Sequence, residues 1–172
     1  MTGRRRRRLA VAVAALLVLE SLLPAGGVAM PVAGAGRRDW NPASYWYAPW
    51  GESGVHKGID IFARRGTPVR AAQAGLVVYR GEIARGGKVV LVLTARGWLH
   101  YYAHLGTLGA ESGHWLATGD PVGTVGDSGN ARGKPPHLHY AVVTLVPRPW
   151  AARPGAQGWK AMFYRDPGRL LP

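Results

Sequence analysis

The sequence predicts an all-β domain, a compact antiparallel sandwich or barrel-like fold. Three observations support this. Short apolar and β-branched runs recur along the chain, each bounded by glycine or proline. Gly 25 and Pro 13 in 172 residues call for many turns and short strands rather than long helices. The hydrophobic fraction of 47%, at this length, is enough for one domain with a sizeable core and flanking segments.

The segments follow in order. Residues 1–35 read as an export signal rather than as part of the fold. Residues 4–8 are five consecutive arginines, residues 9–19 are an unbroken apolar run, and small residues follow. That is the plan of a secretory signal peptide, with Gly27-Val28-Ala29 and Ala33-Gly34-Ala35 as candidate cleavage signals. The alternative is an uncleaved membrane anchor. A spanning helix needs about 20 mostly apolar residues, and Glu20, Pro24 and Gly26 interrupt this run early. Either way the basic end stays cytoplasmic and the rest is exported, to the periplasm or cell envelope.

Residues 36–53 are rich in aromatics and carry neither a helical nor a strand period, so they read as a wrapping linker. Trp40, Tyr45, Trp46, Tyr47 and Trp50 are expected to cover the core; lining a substrate groove is their other use. From Gly66 the pattern is β. Strands are expected over 67–72, 75–80, 88–94 (KVVLVLT), 98–104 (WLHYYAH), 121–126 and 138–146 (LHYAVVTLV), with the turn Arg96-Gly97 making a hairpin of the third and fourth. The domain is placed at 54–146. Residues 147–172 read as a polar, proline-containing tail packing on its outside.

Composition excludes several chemistries. With no cysteine there is no disulfide, thiolate zinc site or cysteine nucleophile. The formal net charge of +13 permits nucleic acid, anionic lipid or an anionic wall polymer as partners. The export segment and the lack of a nucleic-acid motif leave wall polymer or membrane surface, and no nucleic acid is expected. Oligomeric state is not legible.

The informative stretch is His137-Leu138-His139. Imidazoles at i and i+2 share one face of a strand, and neutral imidazole is the commonest metal ligand. Upstream stand His56 and Asp60, with His104 between. The four-residue spacing of His56 and Asp60 would suit a helix face. Gly54, Gly58 and the β-branched Ile59 and Ile61 instead favour a loop leading into a strand, with Asp60 at the strand start. A hydrolytic zinc site needs three protein ligands and an open position. Two histidines and a carboxylate meet that need, and spare histidines nearby can handle protons or developing charge. Alternation cannot choose which of His137 and His139 binds metal. His100 and His114 read as structural or surface residues, although His100 shares a strand face with His104 by alternation.

Five ordered motifs across residues 54–143 resemble the LytM/lysostaphin-type zinc metallopeptidases, family M23. They are His56-Lys57-Gly58-Ile59-Asp60; Gly66-Thr67-Pro68-Val69 with Ala74-Gly75; Tyr102-Ala103-His104-Leu105; Gly119-Asp120-Pro121 with Gly126-Asp127-Ser128-Gly129-Asn130; and Pro136-His137-Leu138-His139-Tyr140. The resemblance implies a LytM-type domain of the duplicated hybrid motif kind with its site in a groove. It implies one Zn2+ per chain on His56, Asp60 and His139, and His104 and His137 as the catalytic, non-ligating histidines. It further implies peptidoglycan as the partner and hydrolysis of its stem or cross-bridge peptide bonds. Relatives that lack ligands serve as non-catalytic wall-binding or amidase-activating modules; here all five positions are filled. Two departures bear on groove shape and bond preference. Ala141 stands where many relatives carry Glu, and residues 130–136 form a longer, basic approach to the last motif.

Overall fold

The computed structural model describes residues 4, 5, 11 and 27–172. Most of the arginine and apolar runs assigned to export therefore lie outside the described residues. From Gly27 onward the regular structure is nine strands joined by turns and short 3-10 segments. The strands are β1 (Ile59–Phe62), β2 (Pro68–Arg70), β3 (Gly75–Ile83), β4 (Gly87–Leu93), β5 (Trp98–Leu108), β6 (Trp115–Leu116), β7 (Pro121–Val125), β8 (His137–Thr144) and β9 (Tyr164–Arg165). Every pairing is antiparallel. The main sheet runs β1-β8-β5-β4-β3-β6; β7 joins β5 to β2, and β9 pairs with β8. The expected all-β fold is the observed one.

Period-two alternation builds the core. Along β8, Leu138, Tyr140 and Val142 are fully buried on one side, while His137, His139, Ala141 and Val143 line a groove on the other. Along β5, Leu99 and Tyr101 face the same groove, and His100 and Tyr102 enter the core. Register brings the two strands together, with Tyr102 opposite Tyr140 and Ala103 opposite His139.

Alternation then breaks at His104. Its φ of 61° is the left-handed region, uncommon for a residue with a Cβ and concentrated at functional sites. The β5 pairings shift register on both sides of this point. By parity His104 would follow His100 and Tyr102 into the core; the backbone turn places it in the groove lining instead. The shared face expected for His100 and His104 is thus corrected. His100 is fully buried, bonded to the Tyr140 hydroxyl at 2.6 Å and the Gln73 side-chain carbonyl at 3.1 Å.

Two flanking segments are more integral than their composition shows. Residues 28–35, assigned by sequence to the export segment, pair with the edge of β2. Ala29 N donates to Ala72 O at 2.8 Å, Arg70 N to Pro31 O at 2.8 Å and Ala33 N to Pro68 O at 3.0 Å. Val32 lies opposite Val69, and Val28 and Val32 are buried in the core. Each buried valine stabilises by about 1.5–3 kcal/mol, and the pairing covers an otherwise open sheet edge. At the other end, β9 pairs Tyr164 with Val143 and Arg165 with Val142, and Leu171 is buried in the same core.

Candidate metal centre

His56 sits in the loop before β1, held on both sides by the aromatic segment. Trp46 N donates to His56 O at 2.7 Å, and His56 N donates to Tyr47 O at 3.0 Å. Asp60 is the second residue of β1 and lies directly opposite His139; Phe62 lies opposite His137. The glycine between His56 and Asp60 is sterically required. A Cβ on Gly58 would stand 2.4 Å from Tyr140 O and 3.0 Å from His139 Nε2. Register and close backbone approach together deliver the carboxylate to the histidines.

Three donor atoms meet at one point. His56 Nε2 is 3.1 Å from Asp60 Oδ1, His139 Nδ1 is 2.8 Å from the same oxygen, and the two nitrogens are 3.1 Å apart. A tetrahedral zinc with bonds of about 2.0–2.1 Å has ligand edges of about 3.3 Å, so this triangle fits one ion. The donor chemistry fits as well: two imidazole lone pairs and a carboxylate suit zinc. Among the described residues, His56, Asp60 and His139 form the group able to hold a metal.

His56, His104 and His137 share one device. Each points Nδ1 at a backbone carbonyl: Ser44 O at 3.0 Å, Ser128 O at 2.9 Å and Pro135 O at 2.8 Å respectively. A carbonyl only accepts, so Nδ1 carries the proton and Nε2 is the basic nitrogen of each ring. For His56 that nitrogen belongs to the donor triangle. For His137 it lies 4.0 Å from Asp60 Oδ1, next to the triangle but outside it. The His104 ring packs edge-on against His137 and His139, with centroids 5.1 and 5.9 Å away.

The electrostatics follow from burial and neighbours. Burial pushes the Asp60 carboxyl upward, but the His139 and His56 rings against it outweigh that and hold the group well below the usual carboxylate range. Burial lowers His104 to about 4, helped by the nearby His139 and opposed by the Ser128 carbonyl. His139 is lowered too, chiefly by burial. A neutral His104 and an ionised Asp60 are therefore the ordinary state near pH 7.

The groove holds about 840 Å3. Trp50 stacks on His56 with centroids 4.2 Å apart and planes at 22°. Tyr164 from the tail lines the groove and meets Trp46 edge-on. The aromatic segment thus splits its roles: Trp40 is buried in the core, whereas Trp50 lines the groove. The structure brings His56, Asp60, His104, His137 and His139 together. It sends His100 to the core and leaves His114 exposed. Sequence reasoning missed the carbonyls of Ser44, Ser128 and Pro135, because a backbone acceptor has no signature in residue type. It missed Tyr164 as well, since its position depends on how the tail returns to β8.

Fold and groove together define an all-β domain with a histidine-lined cleft able to hold one metal. Residues 54–148 match the model of peptidase family M23, and the chain belongs to that family. The L-Ala--D-Glu endopeptidase of Bacillus subtilis is 36% identical over 115 residues, covering 62% of this chain and 35% of that protein. The DD-carboxypeptidase/endopeptidase Mpg of Neisseria meningitidis is 38% identical over 86 residues, or 50% of this chain and 19% of that protein. The chain thus spans about a third or less of these relatives. Among solved structures, the catalytic domain of the antimicrobial peptidase lysostaphin from Staphylococcus simulans superposes with a TM-score of 0.58 at 26% identity. That match covers 72% of this chain and 85% of that one.

Proposed function

We propose that this chain is a zinc metalloendopeptidase that hydrolyses peptide bonds of peptidoglycan outside the cytoplasmic membrane. One observation carries the reading: the converging triangle of His56, Asp60 and His139 lies beside two further histidines whose protons are pinned away by backbone carbonyls. A non-catalytic wall-binding module has no use for the second pair. Membership of a peptidase family and relatives named as endopeptidases support the same reading.

Zinc, when bound by His56, Asp60 and His139, supplies Lewis-acid polarisation of a carbonyl and acidifies water. The chain's own residues do the rest. His104 and His137 present Nε2 as a base, and one of them accepts the proton of the attacking water. The resulting Nε2–H is then a donor, to the developing oxyanion or to the departing amine. With His104 lowered to about 4, a proton it accepts is readily given up again. Trp50 against His56 and the apolar wall of Leu91, Leu99 and Val143 limit water around the reacting bond.

The test is release of new amino groups from purified peptidoglycan by the zinc-loaded chain. Hydrolysis should stop with chelator and return with added zinc. A folded, zinc-occupied chain that releases none overturns the proposal.

We also place the domain outside the membrane, on the strength of the arginine run and apolar segment at residues 4–19. Among the described residues no helix is long and apolar enough to cross a membrane. Because Val28 and Val32 are in the core, cleavage after Ala29 or Ala35 would strip packed residues. The exported chain therefore keeps Val28 onward, and N-terminal sequencing that begins at Met30 or Gly36 would refute this.

A further inference from the structure

The groove carries charge as well as metal donors. Lys57, Arg85 and Lys134 line it, opposed among the described lining residues by Glu52 and Asp60. Asp60 is committed to His56 and His139. That leaves three cations against Glu52 alone among the described lining residues. Glu52 holds Arg85 loosely: its Oε2 is 3.4 Å from Arg85 Nε, and the two side chains are 81% and 59% exposed. An exposed pair of this kind is weak and readily exchanged for another partner. Lys57 directly follows the donor His56, and among the described residues its ammonium donates to the carbonyls of Ser53 and Val55, each at 3.4 Å. Lys160 lies behind, bonded to Gln157, which in turn donates to Ser53 O at 2.8 Å. Lys160 and Arg85 each add positive charge close to Lys57.

We propose that Lys57 and Arg85 bind a free carboxylate of the peptide substrate in the groove beside His56, with Glu52 ceding Arg85 to it. The groove then selects acidic peptides over neutral ones. This rests on the peptidase reading of the same groove and names its substrate class. Position supports it: Lys57 directly follows His56, and both line the same groove.

The experiment uses the full zinc-loaded chain and two muropeptide stems that differ in one group, a carboxylate in the first and a carboxamide in the second. The expected kcat/KM ratio favours the acid by about tenfold. The difference should lie mainly in KM, as for binding shared by ground and transition states, and should shrink with added salt. Lys57→Gln and Arg85→Gln should each move the ratio toward one. Glu52→Gln should raise it by removing the competitor. Each ratio is taken within one variant, so partial loss of folded protein cancels. A parent ratio near one, or a ratio that none of the substitutions moves, overturns the inference. Equal cleavage of both stems sinks this inference alone. If neither is cut, the peptidase reading fails, and calorimetric binding of the same two stems still decides: equal affinities overturn the selection of acidic peptides.

Discussion

The sheet that β5 and β8 form carries histidines on both of its faces, and the two faces use them differently. On the core face, His100 engages both ring nitrogens with side chains, Tyr140 and Gln73. On the groove face, His104 and His137 each tie Nδ1 to a backbone carbonyl, which leaves the other nitrogen for chemistry. His139 is turned the other way round, with Nδ1 in the donor triangle. In the proposed mechanism, the same side chain on the same sheet is structural or functional according to which of its nitrogens is already occupied. Burial does not separate the classes, because His100, His104 and His137 are all buried.

The largest effect that tests this contrast is His139→Ala. It should abolish stoichiometric zinc, read by metal analysis, and cut hydrolysis by at least about a thousandfold. Next come His104→Ala and His137→Ala, which should keep zinc and lose about 10²–10⁴ in rate. If His137→Ala loses the metal while His139→Ala retains it, the two roles are reversed. On the other face, His100→Ala should leave zinc content and the activity of the folded fraction intact. It should lower stability by about 2–4 kcal/mol, through a cavity and the loss of two buried hydrogen bonds. A urea midpoint equal to that of the parent would show that the core face is not structural in this sense.

The smallest effect is a pH slope in the metal-free protein. Burial lowers His100 to about 4 and His104 to about 4. Both stay neutral when folded, whereas unfolded histidine takes a proton near 6.5. The unfolded state therefore binds more protons between pH 6.5 and 4, so stability is complete above that window and is lost as pH falls through it. Thermal midpoints should decline across this range, with part of the slope removed by His100→Phe. A flat profile in both proteins would contradict the buried, neutral assignment.

Much of the fold is legible in the sequence, because strands announce themselves locally. The runs at 88–94 and 121–126 lie within a residue or two of β4 and β7. The run at 98–104 stops short because β5 continues through the turned backbone at His104 to Leu108. The two-residue strands β6 and β9 are too short to show any period. The N-terminal pairing escaped notice for another reason: residues 28–35 look like the end of an export signal, and small and apolar residues serve that role and edge packing alike.

The candidate site divides along the same line. By itself the sequence determined the donor types, their order along the chain and the shared face of His137 and His139, since period-two alternation is a property of neighbouring residues. Only tertiary structure decided that Asp60 meets His139, that His104 leaves its expected face, and that carbonyls of Ser44, Ser128 and Pro135 choose the tautomers. The physical reason is separation. His56 and His139 are 83 positions apart, and strand register together with one left-handed backbone turn sets what stands between them.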